Sequence, residues 1–200
     1  ADEIRSYRAL KVLAAATFSS TSVSICVRED SEDLTGASHM LAKGMSLTMP
    51  KGKGQIAGSS NSMMRTIALF SPESQLLGVT LLDAAQVDSW IKFCWTEIEV
   101  PMGALLSGSE VLRNSTDIVK RKIVSAVTKI DYHLQNKIFM LGNAITTADV
   151  AICAALMAAV SNNLWDPTFD YGKNQELQNV KKWFKHVSCE DFFSCALSMQ

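Results

Sequence analysis

The amino-acid sequence predicts a small α/β layer followed by an all-helical half, and three observations carry that prediction. Short runs alternating apolar with small or polar residues, the period of a half-buried strand, occur at residues 23–27, 45–49 and 55–57. From Asp83 onward apolar residues instead recur at spacings of three and four, the period of a helix with one buried face. Within that second half, Gly142-Asn143-Ala144-Ile145-Thr146-Thr147-Ala148-Asp149 runs directly into residues 150–160, eleven consecutive apolar positions. A helix apolar on every side belongs inside the protein, and this one is too short to span a bilayer.

Taken in order, residues 4–18 read as an amphipathic helix with Ile4, Tyr7, Leu10, Leu13, Ala14 and Phe18 on its stripe, interrupted by Arg5, Arg8 and Lys11. Residues 29–43, charged and rich in small side chains, are a loop or a short irregular helix. Pro50-Lys51-Gly52-Lys53-Gly54 is turn chemistry joining two antiparallel strands. Residues 60–70 form a methionine-rich helix with Met63, Met64, Ile67 and Ala68 on one face. Ser71-Pro72-Glu73 and Gly78 break the pattern, which places the division between an α/β unit at 1–72 and a helical unit at 79–200.

In the second unit, residues 83–99 carry Ala84, Val87, Trp90, Ile91, Cys94, Trp95 and Ile98 at helical spacing and run up to Pro101, which is expected to end the helix. A helix opening at Thr116-Asp117 points Val119, Ile123, Val127, Ile130 and Leu134 inward and Lys120, Lys122 and Lys129 outward. Thr146 and Asp149, three apart, then read as a capping box, with Ile145 and Val150 at the positions of a hydrophobic staple. Residues 162–174 are a loop holding Trp165, Pro167 and Tyr171. Residues 176–187 are a helix with Leu177, Val180, Trp183 and Phe184 on one side, and Asp191-Phe192-Phe193 begins a last short helix.

Composition narrows the function. With 48% hydrophobic residues and only 4 prolines, 200 residues suffice for a proper core. A net charge of -1 provides no global field for nucleic acid or anionic membrane, so any basic surface is local. Five cysteines, odd in number and mostly in apolar surroundings, look like the buried thiols of a reduced compartment. There is no CxxC and no Cys/His ligand spacing, so no metal site is expected. The beginning of the chain lacks a signal pattern and nothing resembles a membrane span, which makes the expected location cytoplasmic.

The motifs resemble the glutathione transferase family. Residues 142–149 are similar to its G-x-x-[IL]-[ST]-x-A-D box, Asp83-Ala84-Ala85-Gln86-Val87-Asp88-Ser89-Trp90 to the start of its first long helix, and Val180-Lys181-Lys182-Trp183-Phe184 with Asp191-Phe192-Phe193 to its final segment. The resemblance implies a reduced thioredoxin-like layer followed by a helical bundle. Within the family, Asn61-Ser62-Met63-Met64-Arg65-Thr66-Ile67-Ala68 resembles the front domain of glutamyl-prolyl-type aminoacyl-tRNA synthetases. Tyr7-Arg8-Ala9-Leu10-Lys11 and Ala84-Ala85-Gln86-Val87 are similar to the gamma subunit of elongation factor 1B. Both imply a domain that docks translation proteins to one another.

A working transferase would need three features by that resemblance. The Ser, Tyr or Cys that ends the first strand holds the glutathione thiolate. That strand is expected to be absent or much shortened, leaving Ser6 and Tyr7 inside the first helix. A cis proline precedes the third strand, and Pro50 is the candidate, although it fits the hairpin turn better. An acidic residue followed by Ser opens the third helix. Here the pair is Ser59-Ser60, so only Ser60 remains as a remnant of the glutathione site.

The expectation is therefore a non-catalytic docking domain with no cofactor, and a glutathione-dependent enzyme is the alternative. By the resemblance, docking would use Met63, Met64 and Arg65, and the segment Asp166 to His186 with Trp183, with other glutathione transferase-like domains of translation proteins as partners. The methionines either form an adaptable patch or fill the core. Lys120, Arg121 and Lys122, and Lys181, Lys182 and Lys185, are candidate tRNA contacts or simply solvated helix faces. Trp90 and Trp95 are either core or stacking platforms, and His133 and His186 lack partners that would assign them catalytic work.

Overall fold

The computed structural model describes residues 2–27, 45–49, 54–106, 115–167 and 177–199, with the side chains of 2–6, 26 and 27 left aside. The expected loop at 29–43, the hairpin turn with Pro50, and Tyr171 lie outside these residues.

Helix α1 (Asp2–Phe18) leads into three strands, β1 (Ser24–Val27), β2 (Met45–Thr48) and β3 (Gln55–Ala57). They form an antiparallel sheet in the order β1-β2-β3, with Ile25 opposite Leu47 and Leu47 opposite Ile56. Leu47 is fully buried and Thr48 exposed, but Ser46, on the same face as Thr48, is buried as well. Helix α2 (Ser60–Phe70) covers the layer with Met63, Met64, Ile67 and Ala68 inward.

The second half contains α3 (Leu81–Cys94), a π-helical segment (Trp95–Glu99), α4 (Val100–Leu106), α5 (Thr116–His133), α6 (Thr147–Ser161), α7 (Gln178–Ser188) and α8 (Asp191–Ser198). Pro101 does not end the helical path as expected. The Val100 N–H reaches back five residues to the Trp95 carbonyl, and this wider turn just before the proline relieves the clash an α-turn would impose. Helix α3 also starts earlier than the hydrophobic pattern suggests. The Thr80 hydroxyl accepts the Asp83 N–H at 3.1 Å while the Asp83 carboxylate accepts the N–H groups of Val79 and Thr80. Gly78 permits this turn: its φ is +78°, and a Cβ there would sit 2.3 Å from that of Asp83.

Helix α6 is the buried helix the sequence predicts. Of its apolar run only Met157 and Val160 are partly exposed. It packs against α1, α3 and α7, and its first turn is tied to the connector between the halves, because the Thr147 N–H and hydroxyl both donate to the Leu76 carbonyl at 2.8 and 3.2 Å. Helix α1 belongs to the layer by sequence, yet it packs on α6 and α8 as well as on α2. A single hydrophobic core therefore runs from Tyr7 to Ala196. The thiols of Cys94 and Cys153 are buried, but Cys189 is exposed and Cys195 half-buried, so the expectation of buried thiols fails for those two. Among the described residues no helix is long and apolar enough to cross a membrane.

Candidate functional site

Three regions bear on function: the remains of the glutathione site, the shared face of α2 and α3, and the basic groups.

At the start of α2, the Ser59 hydroxyl accepts the Ser62 N–H at 3.1 Å. The helix thus satisfies one of its own first-turn donors, and no carboxylate stands in that turn. Ser60 occupies the first helical position and is buried.

On α1, Tyr7 is buried and donates to Glu99 Oε2 at 3.2 Å. Burial, reinforced by the Glu99 charge, pushes its phenol well above the usual tyrosine range. The hydroxyl is spent inside the core. Beside it lies a feature the sequence pattern misread. Lys11, expected to interrupt the apolar stripe at the surface, is completely buried and pairs with Glu99 Oε1 at 2.8 Å. Its ammonium also donates to Asn61 Oδ1 at 2.9 Å, and the Cys94 sulfur lies 3.6 Å from the same carboxylate. Burial first, then Glu99, raises the Cys94 thiol well above its usual value. This cluster clamps α1 and α2 onto the π segment, and no sequence signal separates a buried Lys–Glu pair from two surface charges.

The proposed interface residues separate sharply. Met63 and Met64 are fully buried, so they fill the core and offer no patch to a partner. Trp183 is corrected likewise: it is buried and donates its indole N–H to Asp149 Oδ1 at 2.9 Å. Arg65 remains at the surface, paired across to Asp88 of α3. Leu69 lies one turn from Arg65 along α2, and Leu81 two turns from Asp88 along α3, each on the same side of its own helix as the charged residue. Leu69, Leu81 and the nearby Phe70, Val79 and Leu82 are exposed, Leu81 to 92%.

The capping pair meets at the start of its helix, with the Thr146 hydroxyl donating to the Asp149 carboxylate. Thr146 and Asp149 form the box at the start of α6. Asp149 Oδ2 accepts the Thr146 N–H and hydroxyl, both at 2.9 Å, and Oδ1 additionally accepts the Met140 N–H at 2.8 Å.

Of the basic groups, Lys120 is half-buried while Arg121 and Lys122 are exposed on α5. On α7, Lys182, Lys185 and His186 share an open pocket with Cys189, Glu190 and Asp191, and His186 lies 3.7 Å from the Glu190 carboxylate. Lys181 is half-buried on the same helix. Trp90 is half-buried against His133, ring centres 4.3 Å apart, and Trp95 is half-buried in the π segment.

Fold and comparison agree on the class. Residues 93–191 match the family described as Glutathione S-transferase, C-terminal domain. Among solved structures, a glutathione-S-transferase from Xylella fastidiosa superposes with a TM-score of 0.73 at 17% identity, covering 95% of this chain and 92% of that one. The bacterial glutathione transferase BphK gives 0.71 at 14% identity. The chain is thus glutathione-transferase-like in fold, and residues 93–191 of its helical half are similar to the glutathione transferase C-terminal domain.

Translation proteins are among its sequence relatives. Elongation factor 1-gamma-A of Xenopus laevis is 31% identical over 62% of this chain and 28% of its own length. The bifunctional glutamate/proline–tRNA ligase of Cricetulus griseus is 26% identical over 66% of this chain and 7% of its own length. The chain therefore matches less than a third of either relative.

Proposed function

We propose that this chain is a non-catalytic docking domain that helps assemble a cytoplasmic translation complex, of the aminoacyl-tRNA synthetase kind or the elongation factor 1B gamma kind. Its partners are other glutathione transferase-like domains or a second copy. The observation that carries this reading is the Arg65–Asp88 pair linking α2 to α3, with exposed Leu69 one turn from the arginine and exposed Leu81 two turns from the aspartate. Apolar residues around a directional charge are what a specific protein contact uses. Catalysis is the weaker reading because the Tyr7 hydroxyl is engaged with Glu99 and the first turn of α2 carries no carboxylate.

Size-exclusion chromatography and sedimentation, of the chain alone and mixed with the front domain of a glutamate/proline–tRNA ligase, test the proposal. A complex is expected with the parent. Arg65→Glu and Leu81→Asp are each expected to weaken it at least tenfold while circular dichroism stays unchanged. Assembly indifferent to both changes rejects this face. Retention on glutathione resin together with conjugating activity would reject the non-catalytic reading.

A further inference from the structure

Helix α5 packs its inward residues Val119, Ile123, Ala126, Val127 and Ile130 completely, and its opposite face is cationic. Arg121, Lys122 and Lys129 are exposed there. Lys122 and Lys129, two turns apart, stand about 10 Å from each other along the axis. One turn-width from Lys129 on that same face is Tyr132, with 75% of its surface in water.

Acidic residues leave the Lys122–Lys129 stretch uncancelled. Asp117 stands in the first turn, four residues before Arg121, whose Nε donates to the Asp117 carbonyl at 3.3 Å. Asp131 is turned away to α7, where its carboxylate accepts the Val180 N–H at 2.9 Å and the Asn179 amide at 3.2 Å. Toward α3 the cations border half-buried aromatic rings: the Lys129 ammonium lies 5.8 Å from the centre of Phe93, and Trp90 rests on His133. Lys137, in the turn beyond α5, is exposed and its ammonium lies 3.1 Å from the His133 Nε2. The α7 group differs, because Glu190 and Asp191 share its pocket.

We propose that the outward face of α5 binds single-stranded nucleic acid, with Arg121, Lys122 and Lys129 on phosphates and Tyr132 as a platform on which a base stacks. Cations in a row with an exposed aromatic among them match a sugar-phosphate chain whose bases are free. An anionic lipid surface would attract the same charges and accommodates a tyrosine ring at its headgroup level, but Ile118 is the one exposed aliphatic side chain of the helix available to insert into it.

Fluorescence anisotropy of the 200-residue chain with labelled uridine and thymidine 20-mers tests this, the two arms separating RNA from DNA. Binding is expected at low salt, with a log–log salt slope of about -2 for three phosphates neutralised. The double change Lys122→Glu/Lys129→Glu is expected to reduce affinity more than tenfold and flatten that slope. Tyr132→Ala is expected to cost roughly 5- to 100-fold for oligonucleotide and nothing for heparin, which has charge but no bases. Lys182→Glu/Lys185→Glu is expected to leave binding unchanged. The proposal is overturned by absence of oligonucleotide binding at low salt, by an unaffected α5 double variant, by a Tyr132→Ala change that leaves oligonucleotide affinity intact, or by binding to phosphatidylserine vesicles but to neither oligonucleotide.

Discussion

Asp149 accepts four hydrogen bonds, and its surroundings explain why a residue legible as a helix cap is more than one. The cap alone predicts a loss of about 1 kcal/mol for Asp149→Ala. Removing the carboxylate also strands the buried Trp183 indole N–H and Met140 N–H. Each unmet buried donor costs about 1–3 kcal/mol, so the total is expected to exceed 3 kcal/mol by urea unfolding. The carboxylate carries a cost of its own. Burial outweighs the four donors and holds its pKa above the ordinary 3.8. Between 3.8 and the raised native pKa, the folded chain keeps a proton that the unfolded chain has released. This contribution is therefore fully present below 3.8 and lost as pH rises through the native value. The unfolding free energy of the parent minus that of Asp149→Asn is accordingly expected to fall as pH is raised from about 3.8 and then level off. A difference that rises with pH would contradict this.

Among the elements, the π segment decides how the two halves meet. It carries Glu99 inward beside Ile98, where the carboxylate meets Lys11 of α1, Tyr7 of α1 and, through the lysine, Asn61 of α2. Breaking a buried pair leaves one uncompensated charge, so Lys11→Met alone or Glu99→Leu alone is expected to cost about 3–5 kcal/mol. The double change Lys11→Met/Glu99→Leu is expected to recover most of that loss, because apolar replacement of both partners removes the desolvation cost as well. A double variant no more stable than either single one would show that the pair's hydrogen bonds, and not its unpaired charge, carry the effect. The exposed Arg65–Asp88 link behaves differently. Asp88→Ala is expected to change stability by less than about 1 kcal/mol, since water screens such a pair.

Period and caps made the elements legible. The strands at β1 to β3, the span of α2 and the burial of α6 follow from local pattern alone. What stayed hidden depends on partners distant in sequence: Lys11 and Glu99 are 88 residues apart, and Trp183 and Asp149 are 34 apart. Local pattern also cannot tell a methionine facing the core from one facing a partner, which is how Met63 and Met64 came to be candidates for both.

For the whole molecule, the question is whether residues 1–72 and 79–200 are independent units, as the change of pattern near Gly78 suggests. The packing argues for a single cooperative body. Val12, Ala14 and Ala15 of α1 are completely buried, and α1 lies against α6 and α8 as well as α2. The connector itself is fixed at Leu76, whose side chain is buried and whose carbonyl takes both donors of Thr147. Pulling the layer away would expose this apolar surface and leave the Lys11–Glu99 pair without its partner, a penalty comparable with the total stability of a domain of this size. Native-state hydrogen exchange is therefore expected to give the amides of residues 8–18 the same opening free energy as those of α6, close to the global value. The edge strands β1 and β3 are expected to open at lower cost. Exchange of α1 together with the sheet, well below the protection of α6, would establish two separately unfolding units and return the boundary to Gly78.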